Sequence, residues 1–266
     1  SFANGEYGIT LLGGSDSNTV SKCLSDSNGV VGPPGRMGIY LTNASQNLIT
    51  GNVSRSNSDY GIFLEFSTTL NNIVSNNTVE SNGFGIYLKD AANNNTVSGN
   101  TVQGHSAGPG IYLYASSNNT LTDNRLFSNH RGFNFEAGGG SLANNIVRNN
   151  LIKNSISAGV QFAYMTGSGN VIAQNDFIGG DTGIYFQGGF VLPTDITIAK
   201  NNFLNQTVNH IFNQQGNSQS FSRNWFGSTD SVAIKAKISD TANAWQPYRL
   251  GTIDTADGAD TTAPKA

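Results

Sequence analysis

Cysteine is almost missing from this chain. Cys23 is the only one in 266 residues, which excludes an internal disulfide and any zinc site built from cysteines. Charge is scarce too: 12% of residues are Asp, Glu, Lys or Arg, the net charge is −3, and no basic block occurs. Neutralising phosphates needs clustered Lys and Arg, so no nucleic-acid partner is expected. No apolar run approaches the roughly 20 residues of a membrane helix, so no membrane span is expected. No signal segment is recognisable. Ser1-Phe2-Ala3-Asn4 opens directly in repeat-like sequence, and the natural N-terminus is expected to lie upstream.

Glycine (32 residues) and asparagine are plentiful instead. Both favour tight turns and left-handed backbone, which points to many short strands joined by corners. The repeat confirms the pattern. A G-[IVF]-x-[LF] block occurs at Gly8, Gly38, Gly61, Gly85, Gly110, Gly132, Gly159 and Gly183, at steps of 22 to 27 residues after a longer first step. Each block is followed by an apolar pair inside N-x-x-x-x-N, as in Asn47/Asn52, Asn72/Asn77, Asn95/Asn100, Asn119/Asn124, Asn145/Asn150 and Asn170/Asn175. A degenerate last copy uses Gln219 and Asn224.

One such unit offers about three short strands and cannot bury its own apolar face; stacked units can, at about 4.8 Å per coil. Ile62, Ile86 and Ile111 are expected to stack inside, with Leu64, Leu88 and Leu113 beside them, and the asparagines to form hydrogen-bonded ladders at the corners. The expected fold is therefore all-β: a single-stranded right-handed parallel β-helix of about nine coils with a short C-terminal capping segment. A leucine-rich repeat is excluded because its L-x-x-L-x-L framework is absent. The expected organisation is a β-helix over 1–228, a capping helix and packing segment over 229–250, and a linker or tail over 251–266.

The G-I-Y-L and N-x-[IV]-x-x-N combination resembles the β-helix repeats of carbohydrate-binding proteins and sugar hydrolases, including NosD-like proteins, over roughly residues 5–228. The resemblance implies a polysaccharide partner and a secreted or cell-surface location. Asn224-Trp225-Phe226-Gly227, followed by Ile234 and Ile238, is similar to the ending of many secreted bacterial and archaeal β-helix proteins. Asp230 is expected to N-cap a helix carrying both isoleucines, with Trp245, Pro247 and Tyr248 packing back on it. The ending Asp260-Thr261-Thr262-Ala263-Pro264 resembles linkers before Ig-like modules, so the chain is expected to act as a monomer within a longer multidomain protein. Asp254, Asp257 and Asp260 read as a solvated linker, with weak calcium binding as the alternative. No other cofactor and no metal is expected.

With Ile and Leu inward, the residue between them faces outward. Down the stack this position reads Thr10, Tyr40, Phe63, Tyr87, Tyr112, Asn134, Gln161 and Tyr185. Tyr40 to Tyr112 would form an aromatic stripe about 15 Å long. An exposed row of this kind suits stacking of sugar rings; the alternative is that aromatics simply pack well on parallel strands. Tyr40, Phe63, Glu65, Tyr87, Tyr112 and Tyr185 are the candidate substrate-binding residues. The next outward column reads Glu65, Lys89, Tyr114 and Glu136, and the pre-glycine positions add Tyr60, Phe84 and Arg131, preceded by His130. In so charge-poor a chain this group is a candidate catalytic centre. Lys89 and Arg131 would neutralise a uronate carboxylate, while Tyr114, His130 or Glu136 transfers protons, as lyases and C5-epimerases require. A plain Glu65–Lys89 ion-pair ladder is the structural alternative.

Asn129-His130-Arg131-Gly132-Phe133-Asn134 is similar to an Arg-His-Gly-Phe-Asn stretch of alginate C5-epimerases, with the basic pair reversed. The Y-G-F-D-P-H motif those enzymes carry two coils earlier is replaced by Phe84-Gly85-Ile86-Tyr87-Leu88-Lys89, without its acid, proline and histidine, so their mechanism does not transfer. Glu65 and Glu136, three coils or about 14 Å apart, are too distant for paired-carboxylate hydrolysis. His105 and His210 read as structural, and Cys23 as a small buried residue in an asparagine place. Insertions interrupt the rhythm at Val30–Arg36, Ser106–Pro109 and Gly188–Thr194, and the first two, each just before an aromatic-bearing strand, could wall a groove. Two functions remain open: a polysaccharide-binding and possibly polysaccharide-processing β-helix (lyase, epimerase or hydrolase), or a non-catalytic spacer or adhesin module.

Overall fold

The computed structural model describes residues 1–29, 36–164, 167–188, 195–215, 220–239, 248, 249 and 251. The expected parallel β-helix is what these residues form. Each coil contributes one long and two short strands. The fourth coil is typical, with Phe84–Lys89, Thr96–Ser98 and Thr101–Gln103. Like strands pair in parallel from coil to coil, giving three sheets of 10, 8 and 8 strands. Among the described residues eight coils are complete, against about nine expected. The ninth turn keeps the long strand Asn209–Asn213 and the ladder residue Asn224, with no short strand among its described residues. Gln219 lies outside the described residues.

The inner face is a set of vertical columns. Ile39, Ile62, Ile86 and Ile111 are in register and fully buried, as are Leu41, Leu64, Leu88 and Leu113. Toward the C-terminal coils the same columns turn aromatic, with Phe133 and then Phe135, Phe162 and Phe186, whose rings stack about 5 Å apart. The third sheet shifts similarly from Ser25 and Ser54 to Phe177 and Phe203. The two small residues are bonded, each Oγ donating to a glycine carbonyl at 2.7 Å.

Three asparagine ladders hold the corners. In the longest, the side-chain oxygen of each residue accepts from the backbone N–H of its predecessor, through Asn52, Asn77, Asn100, Asn124, Asn150, Asn175, Asn201 and Asn224. The residue just before a rung is repeatedly left-handed, for example Asn76 at φ 54°, Asp123 at 58° and Asn149 at 57°. Asparagine therefore serves twice in this sequence: as rung, and as the residue that tolerates the turn into it. Cys23 occupies the expected rung position, its N–H donating to Asn52, but is half-buried rather than buried.

The block glycine is needed for space. At Gly85 a Cβ would run into the carbonyl oxygen of Gly110 and into Val102 Cγ1, and at Gly38, Gly61 and Gly159 it would likewise meet the glycine carbonyl of the next coil. Gly85→Ala should therefore cost about 3 kcal/mol, at the upper end of overpacking effects. Gly13→Ala, with open space around it, should change the urea midpoint little. Equal midpoints for both variants would contradict this account.

Asp230 caps a helix at Ser231–Ala236 by accepting from the Val232 N–H, as expected. Ile234 lies on that helix and is buried, but Ile238 does not. The helix ends before it, and Ile238–Ser239 becomes a last strand of the long-strand sheet, beside Ile211 and Phe212. Tyr248 packs against the core. Trp245, Pro247 and the three tail aspartates lie outside the described residues, as do most of the first and third insertions. No helix among the described residues is long and apolar enough to cross a membrane.

Candidate functional site

The block glycine is skipped in the strand pairing, so Phe84 pairs with Tyr60, and Ile86 with Ile62, across an unpaired Gly85. This local break lets the residue before the glycine and the residue two after it both face outward. The outer face of the long-strand sheet thus carries three columns. The middle one runs Thr10, Tyr40, Phe63, Tyr87, Tyr112, Asn134, Gln161, Tyr185 and Phe212 in exact register. Vertical alignment of the candidate residues is as expected.

Their exposure is not. Identical rotamers on strands one coil apart bring the rings face to face. The centroid separations are 5.3 Å for Tyr40–Phe63, 5.1 Å for Phe63–Tyr87 and 4.5 Å for Tyr87–Tyr112. Tyr60 and Phe84 close over them from the pre-glycine column, and Met37 completes the cluster. Phe63 and Tyr87 are only 3% and 6% exposed. The flat faces expected to receive sugars are thus largely occupied by one another, and the stripe is an external apolar core with its edges outward.

The hydroxyls are also engaged. Tyr40 donates to Glu65 at 2.8 Å and Tyr112 to Glu136 at 2.5 Å. Burial, reinforced by these carboxylates, pushes the Tyr40 phenol up to about 12 and the Tyr112 phenol higher still. Burial alone dominates at Tyr87, whose phenol is likewise raised.

The charged candidates separate into two places. On one border of the face Lys89 forms ion pairs with Glu65 at 2.8 Å and Asp90 at 2.9 Å. Burial opposes its charge, but those two hydrogen-bonded carboxylates outweigh it and raise its pKa. Lys89 is thus a fixed cation with its charge already met. Tyr114 lies beside it, its hydroxyl donating to the Gly138 carbonyl at 3.3 Å, and lines a shallow pocket of about 350 Å³ with Asp90, Ser117 and Ser141. On the opposite border His130, Asp181, Thr182, Tyr185, Asn209 and Phe212 line a larger concavity of about 510 Å³. Tyr185 and Phe212 stack there at 5.3 Å, and the Tyr185 hydroxyl donates to Gln214.

Arg131 comes from the pre-glycine column, and its Nε donates to Gln161 Oε1. Gln161 passes its own amide to Gln187 at 3.0 Å. Burial draws the Arg131 pKa down, partly offset by Tyr112, Glu136 and Tyr185. Burial and then Arg131 lower the pKa of His130, disfavouring its charged form. The lower lining of the larger pocket was not singled out in the sequence. Thr182 and Asn209 are the pre-glycine column continued past Arg131 and Ala158, with His210 standing in the glycine place after Asn209.

The other histidines are structural. His105 replaces asparagine in the third ladder: Asn82 Nδ2 approaches its Nε2 at 3.4 Å, and its Nδ1 faces Asn129 Oδ1 at 2.8 Å. His210 is buried against Phe203 and Phe226, with Nδ1 on Gln206 Oε1.

The sequence pattern of the family described as "Periplasmic copper-binding protein (NosD)" matches residues 1–137 and 109–255. No curated protein sequence matches significantly. Among solved structures the chain is similar to the A-module of mannuronan C-5 epimerase AlgE4 from Azotobacter vinelandii, with 17% identity and a TM-score of 0.53, over 83% of this chain and 58% of that one. It is also similar to DFA-IIIase from Arthrobacter chlorophenolicus A6 solved with DFA-III, with 15% identity and a TM-score of 0.47, over 78% of this chain and 53% of that one. The chain therefore spans little more than half the length of either, and at such identity the first likeness speaks for fold alone. The family description names copper, but among the described residues no three His, Cys, Asp or Glu side chains gather where a metal ion could be held. Cys23 sits on the first coil, His105 and His210 have ring nitrogens engaged in the interior, and His130 neighbours a guanidinium. These residues do not fit a copper centre.

Proposed function

The chain belongs to the NosD family of parallel β-helix proteins, and from that premise we propose that it binds and processes a polysaccharide along the outer face of its long-strand sheet. The observation that carries this reading is the composition of that face. In a charge-poor molecule it gathers stacked rings, an amide pair, Arg131 and His130, and opens on a concavity of about 510 Å³. Apolar rings with a few convergent polar groups are what sugar recognition requires. A location outside the cytoplasm accords with the periplasmic description of the family.

Within this reading the site lies toward Tyr185, where a ring borders open space, and the Tyr40–Tyr112 stack serves as its rigid wall. His130 is the proton acceptor. Arg131 supplies positive charge beside it. Lys89, paired with two carboxylates on the opposite border, takes no part in it. Removal of a proton next to a sugar carboxylate, the step common to lyases and epimerases, needs one base and one such cation.

Affinity electrophoresis and a glycan array test the binding. Tyr185→Ala should weaken binding of the retained polysaccharide about tenfold, the order of one lost stacking contact, while leaving the fold intact by circular dichroism. Product analysis by mass spectrometry and ultraviolet absorbance then separates lyase from epimerase and hydrolase action. If no acidic or neutral polysaccharide is retained, the reading fails and the module is a rigid spacer.

A further inference from the structure

We propose that the break in the aromatic column is a subsite for an anionic sugar substituent, a carboxylate or a sulfate ester, gripped by Arg131. This rests on reading the outer face as a polysaccharide site. Rings fill the middle column from Tyr40 to Tyr112 and again at Tyr185 and Phe212, but the two coils between carry Asn134 and Gln161. The interruption separates Tyr112 from Tyr185 by three coil steps, about 14 Å.

Two observations mark this break as a binding place. Asn134 is only 4% exposed, yet its Oδ1 has no hydrogen-bond partner. A buried acceptor left unpaired is costly, and a ligand hydroxyl is the kind of donor that would satisfy it. The second is the state of Arg131. Of the cations on this face, Lys89 is paired with Glu65 and Asp90, whereas Arg131 makes no ion pair among the described residues. Glu136 is near enough to influence its charge, but that carboxylate accepts the Tyr112 hydroxyl and stays outside ion-pair distance. One of the five guanidinium N–H groups is used, on Gln161, so the terminal fork remains for a planar anion. Gln161 fixes the guanidinium from the neighbouring coil, and Gln187 fixes Gln161 in turn. Such a braced donor is preorganised for a ligand, because little side-chain freedom is left to lose.

The test compares retention in gels containing polygalacturonate, dextran sulfate or neutral dextran. Wild-type protein should be retained at least tenfold more strongly by one of the two anionic polymers than by dextran. Preference for polygalacturonate assigns a carboxylate, and preference for dextran sulfate a sulfate ester. Arg131→Gln should abolish that preference. Arg131→Lys, which keeps the charge without the fork, should recover only part of it. Arg148→Gln removes the same charge from an exposed position on another sheet and should behave as wild type. Urea midpoints of all three variants show whether the fold persists. Equal retention by anionic and neutral polymers, or equal losses in Arg131→Gln and Arg148→Gln, overturns the subsite while leaving polysaccharide binding intact. Absence of retention by every polymer overturns both.

Discussion

Asn100→Ala should lower the unfolding free energy by about 4 kcal/mol, measured by urea denaturation at neutral pH, because it breaks the longest ladder at its middle. Asn100 is fully buried. Its Oδ1 accepts from the backbone N–H of Asn77 at 2.9 Å and from Asn77 Nδ2 at 3.0 Å, and its own Nδ2 donates to the Val74 carbonyl at 2.9 Å and to Asn124 Oδ1 at 3.0 Å. Alanine removes all four contacts and strands two buried donors. Leaving a buried polar group unpaired costs about 1–3 kcal/mol, so two such groups, less some relaxation, give the stated size. A loss below 1 kcal/mol would mean that water or a neighbouring amide takes the vacated place.

Acid should destabilise the fold through two histidines. Burial lowers the pKa of His105 to about 4, and burial followed by Lys237 lowers that of His210 to about 4, against 6.5 for an ordinary imidazole. Both are therefore neutral when folded, while the unfolded chain takes up protons below about pH 6.5. Their contribution is complete above that pH and is lost as the pH falls toward 4. Each gap corresponds to about 3 kcal/mol. Asp26, whose carboxylate is held below its usual range by the hydrogen bond from Arg55, acts in the same direction at lower pH. His105→Asn isolates one histidine, since asparagine is the residue its ladder otherwise uses. The variant should match wild type closely at pH 7 and exceed it by about 3 kcal/mol at pH 4. Parallel stability curves for the two proteins would show that His105 is protonated without penalty.

Much of the fold was legible because its determinants are spacings. Glycine and paired asparagines recurring every two dozen residues fix which side chains overlie which, and Tyr40, Phe63, Tyr87 and Tyr112 share a column for that reason. What spacing does not encode is the use each ring makes of its neighbour. Stacking of Phe63 between Tyr40 and Tyr87 depends on rotamers, and the covering by Tyr60 depends on a skipped glycine pairing. The candidate catalytic residues illustrate the same limit. Lys89 and Arg131 look alike as letters, but Asp90 and Glu65 converge on one and leave the other with an amide. The pocket beside Tyr185 is not legible in the spacing because its lining, from Ser157 to Asn209, comes from residues before the block on three successive coils. Ile238 followed an apparent helical spacing from Ile234, but the helix stops at Ala236 and the residue joins the sheet.

The register has a consequence for how such a chain can change in length. Adjacent coils meet through one pairing register in all three sheets, so inserting or deleting one entire turn preserves that register, whereas removal of half a turn misaligns three sheets at once. Gene duplication within the repeat would therefore extend the outer face in increments of about 4.8 Å. An outer face built this way changes its reach by counting, one rung at a time.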